Sequence, residues 1–533
     1  MKIAEDIRRK FSVSVPIFLA TDKDTIKLEL KPYLQPFEQK LAMRELLALL
    51  NSGDEVVRDL GLYVVRTTKS EECLRHHLTY WRRVGRSRLE PTVQETLEFT
   101  QNGLSQTNER KNLHNTRRLR YGPHDLHEYR GKFFPQLVRS LINISGIPEG
   151  ALVLDPMSGS GTTACEALAA GRSFIGADLN PLSILIARVK ASLLSEYPAA
   201  FLETTVGYMD NFQFERVLPK LVWEPDDLQY MGRWFDPLAI EDIASIIVEI
   251  RNIPKPLYKD FFRVCLSNVI RSVSWQKNTD LRVRKEIVPY QPGQAIERFK
   301  KEATAQINRI YPYLCVLPRY EFPISLDFRR GNAIDIASIF PEFLSKVDLL
   351  ITSPPYATAL PYLDTDRLSL IALGLLSRKL HKNVEAEMIG TREVTERVRR
   401  AAWEDYQNRK EERPREIPLL IDRIAEHNHC EQVGFRRRNL PALLGKYFLD
   451  MLDAMRTTHS LMKNGAHGYY IVGNNSTVVD GEKIEIPTDR FLFKIGEKAG
   501  WTCRELIPME LLVSRDIFKE NRGSAETILC LSA

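Results

Sequence analysis

ALVLDPMSGSGTTACEALAAGRSFIGAD, residues 151–178, alternates strand-like and helix-like runs around a cluster of glycines. Residues 151–155 (ALVLD) are a short apolar run ending in an acid, and a glycine-rich turn follows. Residues 163–170 (TACEALAA) are helix formers that Gly171 stops, and residues 173–178 (SFIGAD) repeat the strand ending in an acid. Strand, glycine turn, helix and strand open a doubly wound α/β sheet, whose ligand sits at the carboxyl ends of the strands. Residues 347–352 (VDLLIT) and 469–473 (YYIVG) read as further strands of that sheet.

Outward from this core, residues 201–320 and 366–439 read as long, mostly helical insertions that the sheet does not require, and so as candidates for substrate recognition. Residues 1–105 read as helical and mixed: Leu46, Leu47 and Leu50 keep one-face spacing within 37–50, which ends at Asn51-Ser52-Gly53. Residues 106–120 (QTNERKNLHNTRRLR) read as a basic linker or arm. Residues 440–462 carry apolar side chains at 440, 443, 444, 447, 448, 451, 452 and 455, the pattern of a helix with one buried face.

A chain of 533 residues with 44% hydrophobic and 27% charged residues has the composition of a multi-unit globular protein, which excludes a disordered chain or a disulfide-stapled mini-protein. No apolar run approaches the roughly 18–20 residues that cross a bilayer. Glu5 and Asp6 stand where a signal peptide would be basic, so a soluble intracellular protein with no membrane partner is expected. The seven cysteines lack any C-x-x-C pair and read as reduced thiols. The net charge of +6 is a small difference between 75 basic and 69 acidic residues, and only hints at a polyanionic partner.

The strongest chemical signal is Asp155-Pro156-Met157-Ser158-Gly159-Ser160-Gly161-Thr162-Thr163. Gly159 and Gly161 let the backbone approach a ligand, and the helix start offers free N–H groups. The Lys-Ser/Thr pair of a phosphate loop is missing, and Asp155 would repel a pyrophosphate while suiting a cationic ligand. Asp178 stands where a carboxylate accepts the hydroxyls of a ribose. S-adenosylmethionine, positively charged and ribose-bearing, fits both acids; on these residues alone a nicotinamide-dinucleotide domain stays open as a rival. The second signal, Thr352-Ser353-Pro354-Pro355-Tyr356, follows a strand of the same sheet. Its prolines remove N–H donors and stiffen the chain, leaving the Ser353 hydroxyl and Pro354 carbonyl as acceptors beside the flat face of Tyr356, which suits an amino group on a planar ring.

Together, DPMSGSGTT and TSPPY resemble the motifs of the site-specific DNA amino-methyltransferases, and the serine form of the second motif is typical of cytosine-N4 enzymes. Residues 127–135 (HEYRGKFFP) are similar to the family's segment that closes over the methionine end of the cofactor, and residues 176–181 (GADLNP) match its ribose step. Gly331-Asn332-Ala333 resembles the step near the adenine, with Asn332 replacing the usual acid. Residues 468–475 (GYYIVGNN) look like a later strand of the same sheet, and the resemblance spans about 121–200, 321–365 and 440–533.

The resemblance implies a Rossmann-like class I methyltransferase sheet with a helical N-terminal region and large helical insertions. The implied division is 1–120 (helical region and linker), 121–200 (cofactor part), 201–320 (insertion), 321–365 (catalytic loop), 366–439 (charged insertion) and 440–533 (C-terminal part). It assigns S-adenosylmethionine to Tyr129, Lys132, Phe133, Asp155, Pro156, Ser158, Gly159, Ser160, Gly161, Thr162, Asp178, Asn180 and Asn332, and catalysis to Ser353, Pro354, Pro355 and Tyr356, with no metal. The implied reaction is direct methylation of the N4 amine of a flipped cytosine in double-stranded DNA, without a covalent intermediate. The setting is a restriction–modification system with a cognate endonuclease as partner, in a prokaryotic cytoplasm and on the nucleoid. Adenine-N6 methylation, RNA amino-methylation and an inactive DNA-binding relative are the alternatives.

Three further clusters are read beside this one. His427-Asn428-His429-Cys430 reads as a solvated loop rather than a metal site, because its ligands cannot close a tetrahedron alone. Arg436-Arg437-Arg438 is a candidate for DNA backbone contacts, ahead of the helix at Leu440. Residues 275–285 (WQKNTDLRVRK) carry side chains that can read bases, so either insertion is a candidate for target recognition.

Overall fold

The computed structural model describes residues 25–59, 61–100, 117–129, 134–277, 285–357, 362–391, 395–430, 434–479, 482–509 and 526–533. The chain divides into two units, Met1–Arg118 with Arg139–Gly146, and Leu119–Val138 with Ile147–Ala533.

The first unit corrects the reading of a helical N-terminal region. It holds a five-stranded antiparallel sheet in the order β2-β3-β1-β4-β5, formed by β1 (Thr25–Leu30), β2 (Glu55–Asp59), β3 (Leu62–Arg66), β4 (Trp81–Gly85) and β5 (Glu90–Pro91). The physical reason is a period-2 pattern in short strands: Ile26 and Leu28 are buried while Lys27 between them is exposed. The β2–β3 hairpin pairs Asp59 with Leu62 across a tight turn in which Gly61 takes a φ of +84°. The helix read at 37–50 is present as Pro36–Leu49, but it buries Phe37, Leu41, Ala42 and Leu46. Beside them the buried carboxylate of Glu45 accepts from the Thr79 N–H and from Asn143 Nδ2.

The second unit is built on a seven-stranded sheet in the order β13-β14-β10-β9-β6-β7-β8. Its strands are β6 (Leu152–Asp155), β7 (Ser173–Asp178), β8 (Leu326–Arg330), β9 (Val347–Thr352), β10 (Met462–Gly473), β13 (Thr502–Met509) and β14 (Glu526–Ser532). A separate hairpin pairs β11 (Asn475–Val479) with β12 (Glu482–Ile486). The strands from β8 through β10 run parallel, and β14 alone runs antiparallel to its neighbours. This is the Rossmann-like sheet that the 151–178 stretch announces. The chain leaves β6 toward β7 and β8, then returns to the other side of β6 as β9, so the strand order reverses between β6 and β9. Open α/β sheets bind ligands at that switch point, at the carboxyl ends of the strands.

Burial on both faces explains the near-continuous apolar runs of these strands. Leu154, Leu350 and Tyr470 share one core cluster with Tyr447, Phe448, Met451 and Leu452 of the helix Phe435–Leu461 and with Phe491 and Trp501. That helix is the one read from residue 440, and it begins at Phe435, so Arg437 and Arg438 are exposed residues near its start rather than a run before it. The insertions are helical as read; 201–320 contains Pro225–Met231, Pro237–Arg251, Pro256–Ile270 and Gln294–Val316. In 366–439 the helix Glu416–Cys430 carries the segment from His427 to Cys430, which corrects the loop reading. Leu350 is fully buried in the middle of the sheet. Leu350→Ala is expected to lower the unfolding free energy by about 2–5 kcal/mol, measured by urea denaturation followed through tryptophan fluorescence.

Candidate active site

At the switch point the carboxyl ends of β6 and β9 are joined through one carboxylate. Asp155, the last residue of β6, is fully buried. Its Oδ1 accepts from Thr352 Oγ1, the last residue of β9, at 2.7 Å and from the Met157 N–H at 3.1 Å. Its Oδ2 accepts from Thr163 Oγ1, on the helix Thr162–Ala169, at 2.7 Å. Burial pushes this carboxyl up to about 6, and the three donors oppose the rise. Asp155 is thus the fastening between the glycine turn and the Ser353–Tyr356 loop, and the walls of the cleft above it are made by other residues.

The turn takes its shape from two glycines. Gly159 has φ +50° and Gly161 φ +77°, and a Cβ on Gly161 would stand 2.7 Å from Ala187 Cβ on the helix Pro181–Ser192. The turn is therefore closed by a neighbouring helix that only glycine admits. The Gly159 N–H donates to Asp178 Oδ2 and the Asn180 N–H to Asp178 Oδ1, each at 2.8 Å. Burial also pushes Asp178 up to about 6, yet it is partly exposed at the cleft wall. Ser158 and Ser160 are buried beneath the turn, where Ser158 Oγ donates to the Asp155 carbonyl and the Ser160 carbonyl accepts from the buried Lys190 Nζ at 2.8 Å. Burial lowers the Lys190 amine below its ordinary value.

The cleft holds about 220 Å³, several times the roughly 30 Å³ of one water molecule, and so has room for an organic ligand. Of the residues singled out in the sequence, Tyr129, Pro156, Gly159, Asp178, Asn180, Asn332, Ser353, Pro354, Pro355 and Tyr356 line it together. Asp155, Ser158, Ser160, Gly161 and Thr162 are not among the lining residues, and Lys132 and Phe133 lie outside the described residues. Tyr129 packs its ring on Gly159 and its hydroxyl meets Ser183 Oγ at 2.8 Å. Asn180 caps the helix Pro181–Ser192 through the Leu182 N–H and donates to Asp366 Oδ2 at 2.9 Å. Asn332 donates to the Glu387 carbonyl at 2.9 Å.

Several residues of the site were not singled out. Thr352 stands in the quoted motif, but its partner Asp155 is 197 positions away and only strand order brings them together. Met388 and Ile389 line the cleft from the 366–439 insertion, and Glu526 from the start of β14; no local pattern marks any of the three. Trp275, Gln276, Lys277 and Lys285 are not among the lining residues, and residues 278–284 lie outside the described ones.

Residues 21–188 match the family described as DNA methylase. The chain is similar to the type II methyltransferase M.MvaI of Kocuria varians, at 23% identity over 70% of this chain and 81% of that protein. It is similar to the type II methyltransferase M.BsoBI of Geobacillus stearothermophilus, at 23% over 77% and 82%. It is also similar to the type II methyltransferase M.MjaII of Methanocaldococcus jannaschii, at 24% over 53% and 70%. Beside the switch-point cleft and its two motifs, the match over residues 21–188 and these relatives make the chain similar to type II DNA methyltransferases.

Proposed function

We propose that this protein methylates the exocyclic N4 amine of cytosine in double-stranded DNA, using S-adenosylmethionine, as the modifying member of a restriction–modification pair. The observation that carries the reading is that Asp178 and Gly159 line one cleft with Ser353, Pro354 and Tyr356. S-adenosylmethionine is the methyl donor of the family, and when bound it supplies an electrophilic methyl group on a sulfonium.

The residues present fit that group. Each oxygen of Asp178 accepts one backbone N–H and keeps lone-pair capacity for a ribose hydroxyl. Gly159 leaves the backbone bare at the cleft, and Ala333, Met388 and Ile389 offer apolar wall for an adenine ring. Asp155 and Asp178, both carboxyls, favour a cation nearby when ionised. Tyr129 would close the methionine end, and Asn332 would stand at the adenine end. In the reaction, Tyr356 would offer its face to a base that has left the stack, at a cost of roughly a few kcal/mol. The Ser353 hydroxyl and Pro354 carbonyl would accept the two hydrogens of the amine, drawing its lone pair out of the ring and toward the methyl. Positioning supplies the rate, and the proton leaves after transfer because Ser353 is a weak base.

The serine form of the loop supports cytosine as the base. The 366–439 insertion reaches the cofactor side of the cleft through Met388 and Ile389, and both it and 201–320 are candidates for reading the target. No helix among the described residues is long and apolar enough to cross a membrane. We place the protein in the cytoplasm, on the nucleoid, with a cognate endonuclease acting on the same site.

Purified protein incubated with methyl-labelled S-adenosylmethionine and unmodified double-stranded DNA is expected to yield N4-methylcytosine on nucleoside mass spectrometry. N6-methyladenine would overturn the base assignment, and absence of any methylated nucleoside would overturn the proposal.

The raised carboxyl of Asp178 sets a pH dependence. A group whose folded pKa of about 6 exceeds the ordinary 3.8 contributes stability below the lower value and loses it as pH rises through the higher one. Cofactor binding needs the ionised form and runs the other way. Affinity for S-adenosylmethionine by calorimetry is expected to be flat above pH 7 and to fall below about 6, by up to about tenfold per pH unit. Asp178→Asn should weaken binding and remove the slope; a slope that persists would exclude Asp178 as its source.

Thr352→Val tests the fastening. It preserves volume and deletes one donor to buried Asp155, so a loss of about 1–3 kcal/mol in unfolding free energy is expected together with slower methyl transfer. Unchanged stability and rate would show that the bond contributes nothing.

A further inference from the structure

Tyr356 is held at its face and at its tip, and the residue at the tip lies 170 positions away in the last strand of the sheet. The ring lies on Gly473, the end of β10, where a Cβ would meet Tyr356 Cε1 at 2.8 Å and Cζ at 2.9 Å. The hydroxyl donates to Glu526 Oε1 at 2.5 Å. Gly473 and Glu526 are direct partners in the antiparallel pairing of β10 with β14, so one register delivers both the bare seat and the carboxylate above it. Glu526 itself lines the cleft. A hydroxyl-to-carboxylate bond is roughly twice as strong as a neutral one. With the seat, it restrains the two torsions that would otherwise let the ring swing.

We infer that Glu526 is a positioning residue: it orients the ring of Tyr356 for a planar base before the base arrives, with Gly473 as the seat. The inference rests on the proposed function, in which Tyr356 faces the flipped base. Pre-ordering the ring removes an ordering cost from binding, so its effect falls mainly on the affinity for DNA. A carboxylate that instead contacted the base itself would act independently of the tyrosine hydroxyl.

A double-mutant cycle in the full-length protein separates the two. Methyl transfer from labelled S-adenosylmethionine to unmodified double-stranded DNA is measured for wild type, Glu526→Ala, Glu526→Gln, Tyr356→Phe and the Ala/Phe double variant. Glu526→Ala is expected to raise KM for DNA about tenfold with a smaller change in kcat, and Glu526→Gln, which retains an acceptor oxygen, to recover part of the loss. In the Tyr356→Phe background, Glu526→Ala should add less than about twofold; a full, multiplicative effect there overturns the inference. A second readout needs neither DNA nor turnover. With 3-fluorotyrosine placed at position 356, the fluorine resonance should shift and average in Glu526→Ala and stay near its wild-type position in Glu526→Gln. If the wild type transfers no methyl group to DNA, the proposed function fails and the fluorine signal still decides the ring's restraint. An unchanged resonance in Glu526→Ala overturns the inference by itself.

Discussion

The carboxylate of Asp155, buried at the reversal of strand order, is the constraint on which the site depends. It takes hydrogen bonds from Met157 in the turn that follows its own strand, from the helix after that turn, and from the last residue of the neighbouring parallel strand. A buried carboxyl without such partners would be costly, and the rise to about 6 shows that three donors offset the burial only in part. Because the bonds cross from β6 to β9, the turn and the Ser353–Tyr356 loop share one anchor, and neither moves without disturbing the other.

Above this anchor the cleft is assembled from backbone that side chains would obstruct. Gly159 admits the ring of Tyr129, Gly161 admits the helix Pro181–Ser192, and Gly473 admits the ring of Tyr356. The charged groups have graded roles. Asp155 is wholly enclosed, Asp178 has its oxygens ordered by backbone N–H groups yet faces the cleft, and Glu526 meets the tip of Tyr356. A binding surface built this way pays its ordering cost during folding rather than on encounter with a ligand.

Legibility followed the range of the interaction. The strand, turn, helix and acid of 151–178 are local, and the structure has them where periodicity and glycine put them. The helix buried through Tyr447, Met451 and Met455 was equally readable, since a 3.6-residue repeat needs no partner to be seen. The N-terminal sheet was missed because β2 and β5 are short, charged and partly exposed, so that their pairing rather than their own pattern makes them strands. The loop read at His427 became part of a helix because Ile417, Ile421 and Ile424, packed in the core, carry the helix through it.

By itself the sequence determined the strand, turn, helix and strand that open a doubly wound sheet and the two motifs at the ends of its strands, because each is written in consecutive residues whose conformations follow from glycine, proline and apolar period. Tertiary structure decided the rest. It placed Asp155 beneath the cleft, chose Asp178 for the wall, and brought Met388, Ile389 and Glu526 to the same cleft. Those outcomes depend on which strands become neighbours and in what register, and hydrogen-bond pairing across 170 to 197 residues leaves no local trace in the chain.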